Sequence, residues 1–319
     1  FSHGTESDDF HPASSLKCGS ALVPTALSVG EREDASGAEF LLALVAGMEV
    51  MARLGLAALG GIRRRGLHPT GSTGAIGAAS VAGRLMGLDE PTLHHALTIA
   101  ALSRFGYSEI PSEGRGNVKR LFPGMAAAAG VRAAQLAAIG VTAPPKTFGD
   151  AKGFSRAFEV DAKEESRLIS TLGQEWETLN VRFKLFAQDG YIQPMTEATR
   201  RLMTANDIDF RDIDQVRVGV SHRACNEVAG VIRSPRTITD AQFSASFSLA
   251  LFMVAGTADY SAYSLERLSD PVILGLEDRI SVYVDDDVET RYQASRPRGA
   301  KVAIRLRSGV EFSEYVADL

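Results

Sequence analysis

The hydrophobic period of this chain changes near Trp176, and that change constrains the fold more than any other feature of the sequence. Before it, apolar residues recur at the three-and-four spacing of helices with one buried face. After it, the segments QVRVGVS, RISVYVDDD, KVAIRLRSG and VEFSEYVAD alternate apolar and polar side chains with period two, the pattern of strands that bury one face. The sequence therefore predicts a mainly α protein with an all-helical domain over residues 1–176 and a smaller α+β domain over 177–319. Strands are expected at Gln215 to Val220, Ile280 to Val284, Val302 to Leu306 and Phe312 to Val316. At 319 residues, each part is long enough to bury its own core.

Local signals place the helices. Ser36 and Glu39 stand at capping-box spacing ahead of FLLALVAGMEVMARLGLAAL, a run apolar enough to be buried on most of its circumference. A loop, GGIRRRGLHPTG, follows, then the helical segments SVAGRLMGL, TLHHALTIAALS entered near Asp89 through Pro91, and RLFPGMAAAAGVRAAQLAAIG. Their many Ala and Gly residues permit close helix contacts. In the second part, TDAQFSASFSLALFMVAG starts with Thr239 and Gln242 at capping-box spacing and is expected to form one helix, while Ser308-Gly309 suits a hairpin turn.

Composition excludes several classes of function. With 45% hydrophobic and 23% charged residues the chain has the make-up of a globular protein, and a net charge of −5 gives no field to gather nucleic acid or an anionic membrane. The run from Met125 to Ile139 is broken by Gly130, Arg132 and Gln135, and no stretch reaches the roughly 20 uninterrupted apolar residues of a membrane span. Cys18 and Cys225 are far apart and the six histidines contain no H-x-x-x-H pair, so neither a disulfide nor a metal site is expected, in a reducing, cytoplasmic setting.

Several motifs carry chemistry. Gly71-Ser-Thr-Gly74-Ala-Ile-Gly77 runs into a helix, where small residues either offer backbone amides to an anion or let helices approach. It lacks G-x-G-x-x-G spacing and a preceding strand, so no dinucleotide fold is indicated. His68-Pro69-Thr70 puts an imidazole just before that helix, where it is placed to meet a ligand. Gly114-Arg-Gly116-Asn-Val-Lys119-Arg120 brings two cations to a helix start, which suits a carboxylate or phosphate as well as a solvated loop. The opening acids Glu6, Asp8 and Asp9 with His11 suggest metal binding, acid/base work or a frayed polar end. His94 and His95 point in different directions and make poor joint ligands. Arg63-Arg64-Arg65 reads as a solvated basic turn and Asp285-Asp286-Asp287 as an acidic loop.

Taken in order, HGTESDDFHPASSLKCGSALVPTALSVGERE, GLHPTGSTGAIGAASVAGRLMGL, NVKRLFPGMAAAAGVRAAQLAAIG, VRFKLFAQDG and DAQFSASFSLALFMVAG resemble the MmgE/PrpD family. That family includes 2-methylcitrate dehydratase, cis-aconitate decarboxylase and iminodisuccinate epimerase, and the resemblance covers nearly the whole chain. It implies an all-helical domain and an α+β lid around a polar pocket for a small di- or tricarboxylate, without metal or organic cofactor. It further implies a homodimer through the helical domain, and helical segments before Phe1 and after Leu319.

Residue by residue, the family's acidic stretch D-F-D-D-T falls on Glu6, Ser7, Asp8, Asp9 and Phe10, so the first carboxylate is Glu and the threonine is absent. The active-site histidine some seven residues further on falls on Lys17, in KCGS where H-P-G-S would stand. His68 matches the histidine of H-P-T-G, and Lys119 the lysine of K-R-L-H-P-G, with Phe122 in place of its histidine. Lys184 matches the lysine opening the lid segment, and two later histidines fall on Asp189 and Gln193. A base that abstracts a proton beside a carboxylate needs a pKa near the working pH, which His has untuned, whereas Lys at about 10.4 and Asp at about 3.9 lie to either side. The resemblance thus implies Lys17, Asp189, Glu6 and His68 as catalytic residues, and Lys119, Lys184, Asp9 and Arg120 as carboxylate binders. The expected function is a cofactor-independent lyase, with water elimination first and CO₂ loss a close variant. The alternatives are a two-base epimerase and a carboxylate-binding protein without turnover. Lys119 and Lys184 are expected to share one anionic pocket that closes on substrate.

Overall fold

The computed structural model describes residues 3–103, 106–107, 116–149 and 152–318, so Gly114 and Arg115 of the basic loop lie outside the described residues. Two compact units emerge: one from the described residues of 1–4, 8–109 and 118–183, the other from those of 5–7, 110–117 and 184–319.

The first unit is a helix bundle. Its helices are α1 (Cys18–Arg32), α2 (Gly37–Arg64), α3 (Pro69–Leu85), α4 (Glu90–Ala100), α5 (Phe122–Ala138) and the shorter α6 (Phe154–Ala157) and α7 (Ala162–Ser170). A two-residue ribbon pairs β1 (Asp9–Phe10) antiparallel to β2 (Arg182–Phe183). At the centre lies α3, buried at every position from Pro69 to Gly83 and packed against α1, α2, α4 and α5. Small residues make this possible: a Cβ at Gly77 would stand 2.9 Å from Met51 Cβ, and one at Gly130 would stand 2.4 Å from the Ala75 carbonyl oxygen. A larger side chain at either position would push the helices apart.

Three expectations for this unit change. The predicted loop at Gly60 to Arg64 is the last part of α2, and Gly61 lets the Phe158 backbone lie on the helix, where a Cβ would sit 1.8 Å from its oxygen. The basic triplet is not simply solvated: Arg63 donates to Ser15 Oγ, while Arg64 and Arg65 both pair with Glu159. The Ser36–Glu39 capping box forms, but α2 exposes Leu41 and Leu42, so the burial expected on most of its circumference does not reach its first turns. With 28 residues, α2 is long and apolar enough to cross a membrane, although charges interrupt its apolar run. Here it packs on α1 and α3, and the two charges near its middle, Glu49 and Arg53, are buried as an ion pair.

The second unit contains α8 (Gln193–Asn206), β3 (Ile213–Val220), α9 (Ile238–Ala241), α10 (Ala245–Ala255), α11 (Pro271–Glu277), β4 (Ile280–Val284), α12 (Asp286–Ser295), β5 (Ala300–Leu306) and β6 (Glu311–Val316). The sheet order is β4-β3-β5-β6, parallel only between β3 and β4, whose crossover carries α9 to α11. The four predicted strands all lie within observed ones. Their inward residues, among them Val216, Val218, Val302 and Ile304, share a core with Ile192, Met195, Phe247 and Leu251. Gly309 turns the β5–β6 hairpin at φ 89°.

Two local expectations fail in this unit. The segment after Thr239 is two helices, because Ser244 caps α10 by accepting from Phe247 N, and the earlier cap is Thr237. The break frees the Gln242 carbonyl for Asp189 N, while the Gln242 amide donates to the carbonyls of Thr5 and Ala187. Asp285 to Asp287 form no loop, since Asp285 caps α12 by accepting from Asp287 N and Val288 N.

Candidate active site

Three helix starts meet in the first unit. Lys17 occupies the position before α1, and its peptide N–H donates to Thr70 Oγ1 at 3.1 Å, in the first turn of α3. His68 caps α3, with Nδ1 accepting from Gly71 N at 3.3 Å, and its ring lies 5.4 Å from that of Phe122, the first residue of α5. Buried Lys119 and half-buried Arg120 stand in the turn that leads into α5. Helix starts present backbone N–H groups that lack helical acceptors and carry partial positive charge, so their meeting beside Lys17, Lys119 and Arg120 suits an anion.

The N-terminal segment is folded onto this corner rather than frayed. Asp9 accepts from Gly19 N with both carboxylate oxygens, at 2.9 and 3.0 Å, and so occupies the start of α1 itself. Burial, followed by the charge of Asp9, pushes the Cys18 thiol up and keeps it protonated. His11 is fully buried, with Nδ1 2.7 Å from Ser14 Oγ and Nε2 3.1 Å from Glu177 Oε2; burial holds its pKa below the usual range despite that carboxylate. His3, which no sequence motif singled out, bonds through Nδ1 to Asp8 Oδ2 at 2.9 Å, with side chains 0% and 2% exposed. Its ring centroid is 6.5 Å from that of His68. The only local signal for this pair was a histidine five residues before an acid across a Gly-containing bend.

Glu6, Lys184 and Asp189 belong to the second unit. Lys184 Nζ donates to Glu6 Oε2 and to the Glu6 carbonyl, both at 3.0 Å, with the two side chains 1% exposed. Glu6 adopts φ 55°, an uncommon conformation for a residue with a Cβ. Asp189 is half-buried, and its Oδ1 accepts from Tyr191 N at 2.9 Å. Gln193 ties its own segment together, since its oxygen accepts from Leu185 N and Phe186 N and its amide nitrogen donates to the carbonyls of Phe186 and Gln188. A neutral imidazole has one donor and one acceptor and could not make these four bonds.

The first unit thus gathers His68, Lys17, Lys119 and Arg120 at converging helix starts, in a chain that also contains an α+β unit. Residues 1–166 match the MmgE/PrpD N-terminal domain and residues 186–318 the MmgE/PrpD C-terminal domain, and the chain belongs to the MmgE/PrpD family. It is 26% identical over 337 residues to a cis-aconitate decarboxylase-like protein of Aspergillus oryzae, covering 99% of this chain and 69% of that one. A cis-aconitate decarboxylase of Aspergillus terreus is 30% identical over 341 residues, covering 99% of this chain and 68% of its own length.

Proposed function

We propose that this protein is a cofactor-independent lyase acting on a small di- or tricarboxylate, and that its reaction is loss of CO₂ from an unsaturated tricarboxylate. The sequence alone put water elimination first; the curated relatives move CO₂ loss ahead of it. The observation that carries the reading is the meeting of the α1, α3 and α5 starts around Lys17, His68 and Lys119. Such a corner holds carboxylates by fixed dipoles and charge without a metal. Lys119, Arg120 and Lys184 are assigned to substrate carboxylates. When the carbon–carbon bond to CO₂ breaks, its electron pair spreads into the adjacent double bond, and the cations nearby lower the energy of that charge. Lys17, Asp189 and Glu6 are assigned to proton handling, His68 to an oxygen of the substrate, and Asp9 to the frame of α1. The proposed assembly is a homodimer through the helical unit.

Incubation with cis-aconitate, citrate, 2-methylcitrate and aspartate-derived acids in D₂O, followed by NMR, tests the proposal. New vinyl signals with CO₂ release are expected from cis-aconitate. Deuterium entering a substrate carbon without net conversion would favour the two-base epimerase instead. No conversion, no exchange and no binding of tricarballylate at millimolar concentration would end the carboxylate reading.

A further inference from the structure

We propose that His3, oriented by Asp8, is a proton-transfer residue of this carboxylate site. The proposal rests on the function proposed above and names a proton-transfer group that function requires. A carboxylate can only accept, so the Asp8 Oδ2 contact at 2.9 Å fixes the proton of neutral His3 on Nδ1 and leaves Nε2 as its basic atom. With side chains 0% and 2% exposed, water does not compete for that bond, and the ring is held in one orientation.

His68 has the opposite tautomer. Its Nδ1 accepts from Gly71 N, so its Nε2 carries the proton and acts as a donor. The two rings stand 6.5 Å apart at an interplanar angle of 60°, beside the start of α3. One imidazole that donates and one that accepts is the combination needed to hold a substrate oxygen and move a proton at the neighbouring carbon. In CO₂ loss, the carbon–carbon bond breaks, the electron pair remains on the substrate, and protonated His3 gives its Nε2 proton to form the new C–H bond. Neutral His3 then regains a proton from water. In water elimination, neutral His3 would take the proton next to the carboxylate on Nε2 and pass that same proton to the departing hydroxyl, which leaves as water and returns His3 to its neutral form.

His3→Gln, His3→Ala and Asp8→Asn are compared with wild type on the acid that turns over. His3→Gln should lower kcat by about 100-fold or more with KM within about threefold, and Asp8→Asn by about 10- to 100-fold. Added imidazole should restore part of the turnover of His3→Ala, which a purely structural role would not allow. Unchanged kcat in His3→Gln, or losses in all variants that track melting temperature without rescue, would overturn the proposal. Nitrogen NMR of ¹⁵N-histidine wild-type protein, with the His3 signals assigned by their shift in Asp8→Asn, separates this from the functional reading. If no acid turns over, the lyase proposal fails, and His3 is judged by tricarballylate: movement of its Nε2 resonance supports contact with the anion, and an unmoved resonance overturns it.

Discussion

Arg53→Met removes the hub that fastens residues 167–178 to α2. The Arg53 guanidinium donates to Glu49 Oε1 at 2.6 Å, to the carbonyls of Arg167, Leu168, Thr171 and Glu175 at 3.3, 3.2, 3.4 and 2.8 Å, and to Thr171 Oγ1 at 3.2 Å. Glu49 additionally accepts from Glu177 N, Thr178 N and Thr178 Oγ1, each at 3.2 Å. Stripping one partner from a buried ion pair costs roughly 3–5 kcal/mol, because the remaining charge stays buried. Glu49 keeps three donors after the change, which places the loss near the lower end, about 3 kcal/mol. Trp176, the single tryptophan, lies in the affected stretch and reports its release. With a urea slope of about 2 kcal/mol/M, the fluorescence midpoint should fall by about 1.5 M. Glu49→Gln with Arg53→Met removes the stranded charge and should recover at least about 1 kcal/mol. A midpoint within about 0.5 M of wild type, or a double variant weaker than Arg53→Met alone, would refute the reasoning. The consequence reaches the candidate site, because Glu177 bonds His11, and His11 N donates to the Leu16 carbonyl just before Lys17.

Other expectations follow from the same geometry. His11 has its pKa lowered by burial, so the unfolded chain binds the extra proton first. Its contribution to stability should therefore be present above about pH 6.5 and decline as pH falls below that value; urea titrations from pH 8 to 5 should show a weaker decline in His11→Gln. Lys184→Met removes the cation paired with buried Glu6 and should cost roughly 3 kcal/mol, part of it recovered when Glu6→Gln is added; equal losses in the single and double variants would argue against an uncompensated charge. Gly61→Ala should destabilise by about 1–3 kcal/mol or more, since its Cβ would meet backbone at 1.8 Å, whereas Gly124→Ala in α5, with nothing within 4 Å, should stabilise by up to about 1 kcal/mol in thermal melts.

Much of this protein is written locally in its sequence. The switch from helical to alternating periodicity marked the four strands of the sheet, all of them after Trp176, and β4 coincides with its predicted span because alternation survives only where one face is buried. Helix starts were visible where a side chain acts on its own backbone a few residues away, as at Ser36 and Asp89, whereas the capping bond of His68 was not. What tertiary structure decided depends on partners remote in the chain. Lys17 is no natural cap, and its place before α1 is marked by Thr70, 53 residues away. The helix expected after Thr239 is broken where the Gln242 carbonyl serves Asp189 and the Gln242 amide reaches Thr5. Gly61 reads as a helix breaker until Phe158 packs against it. His3 shows the limit most clearly: its spacing from Asp8 is ordinary, and only burial beside His68 gives the pair a fixed tautomer, because exclusion of water is a property of the assembled fold and not of any segment.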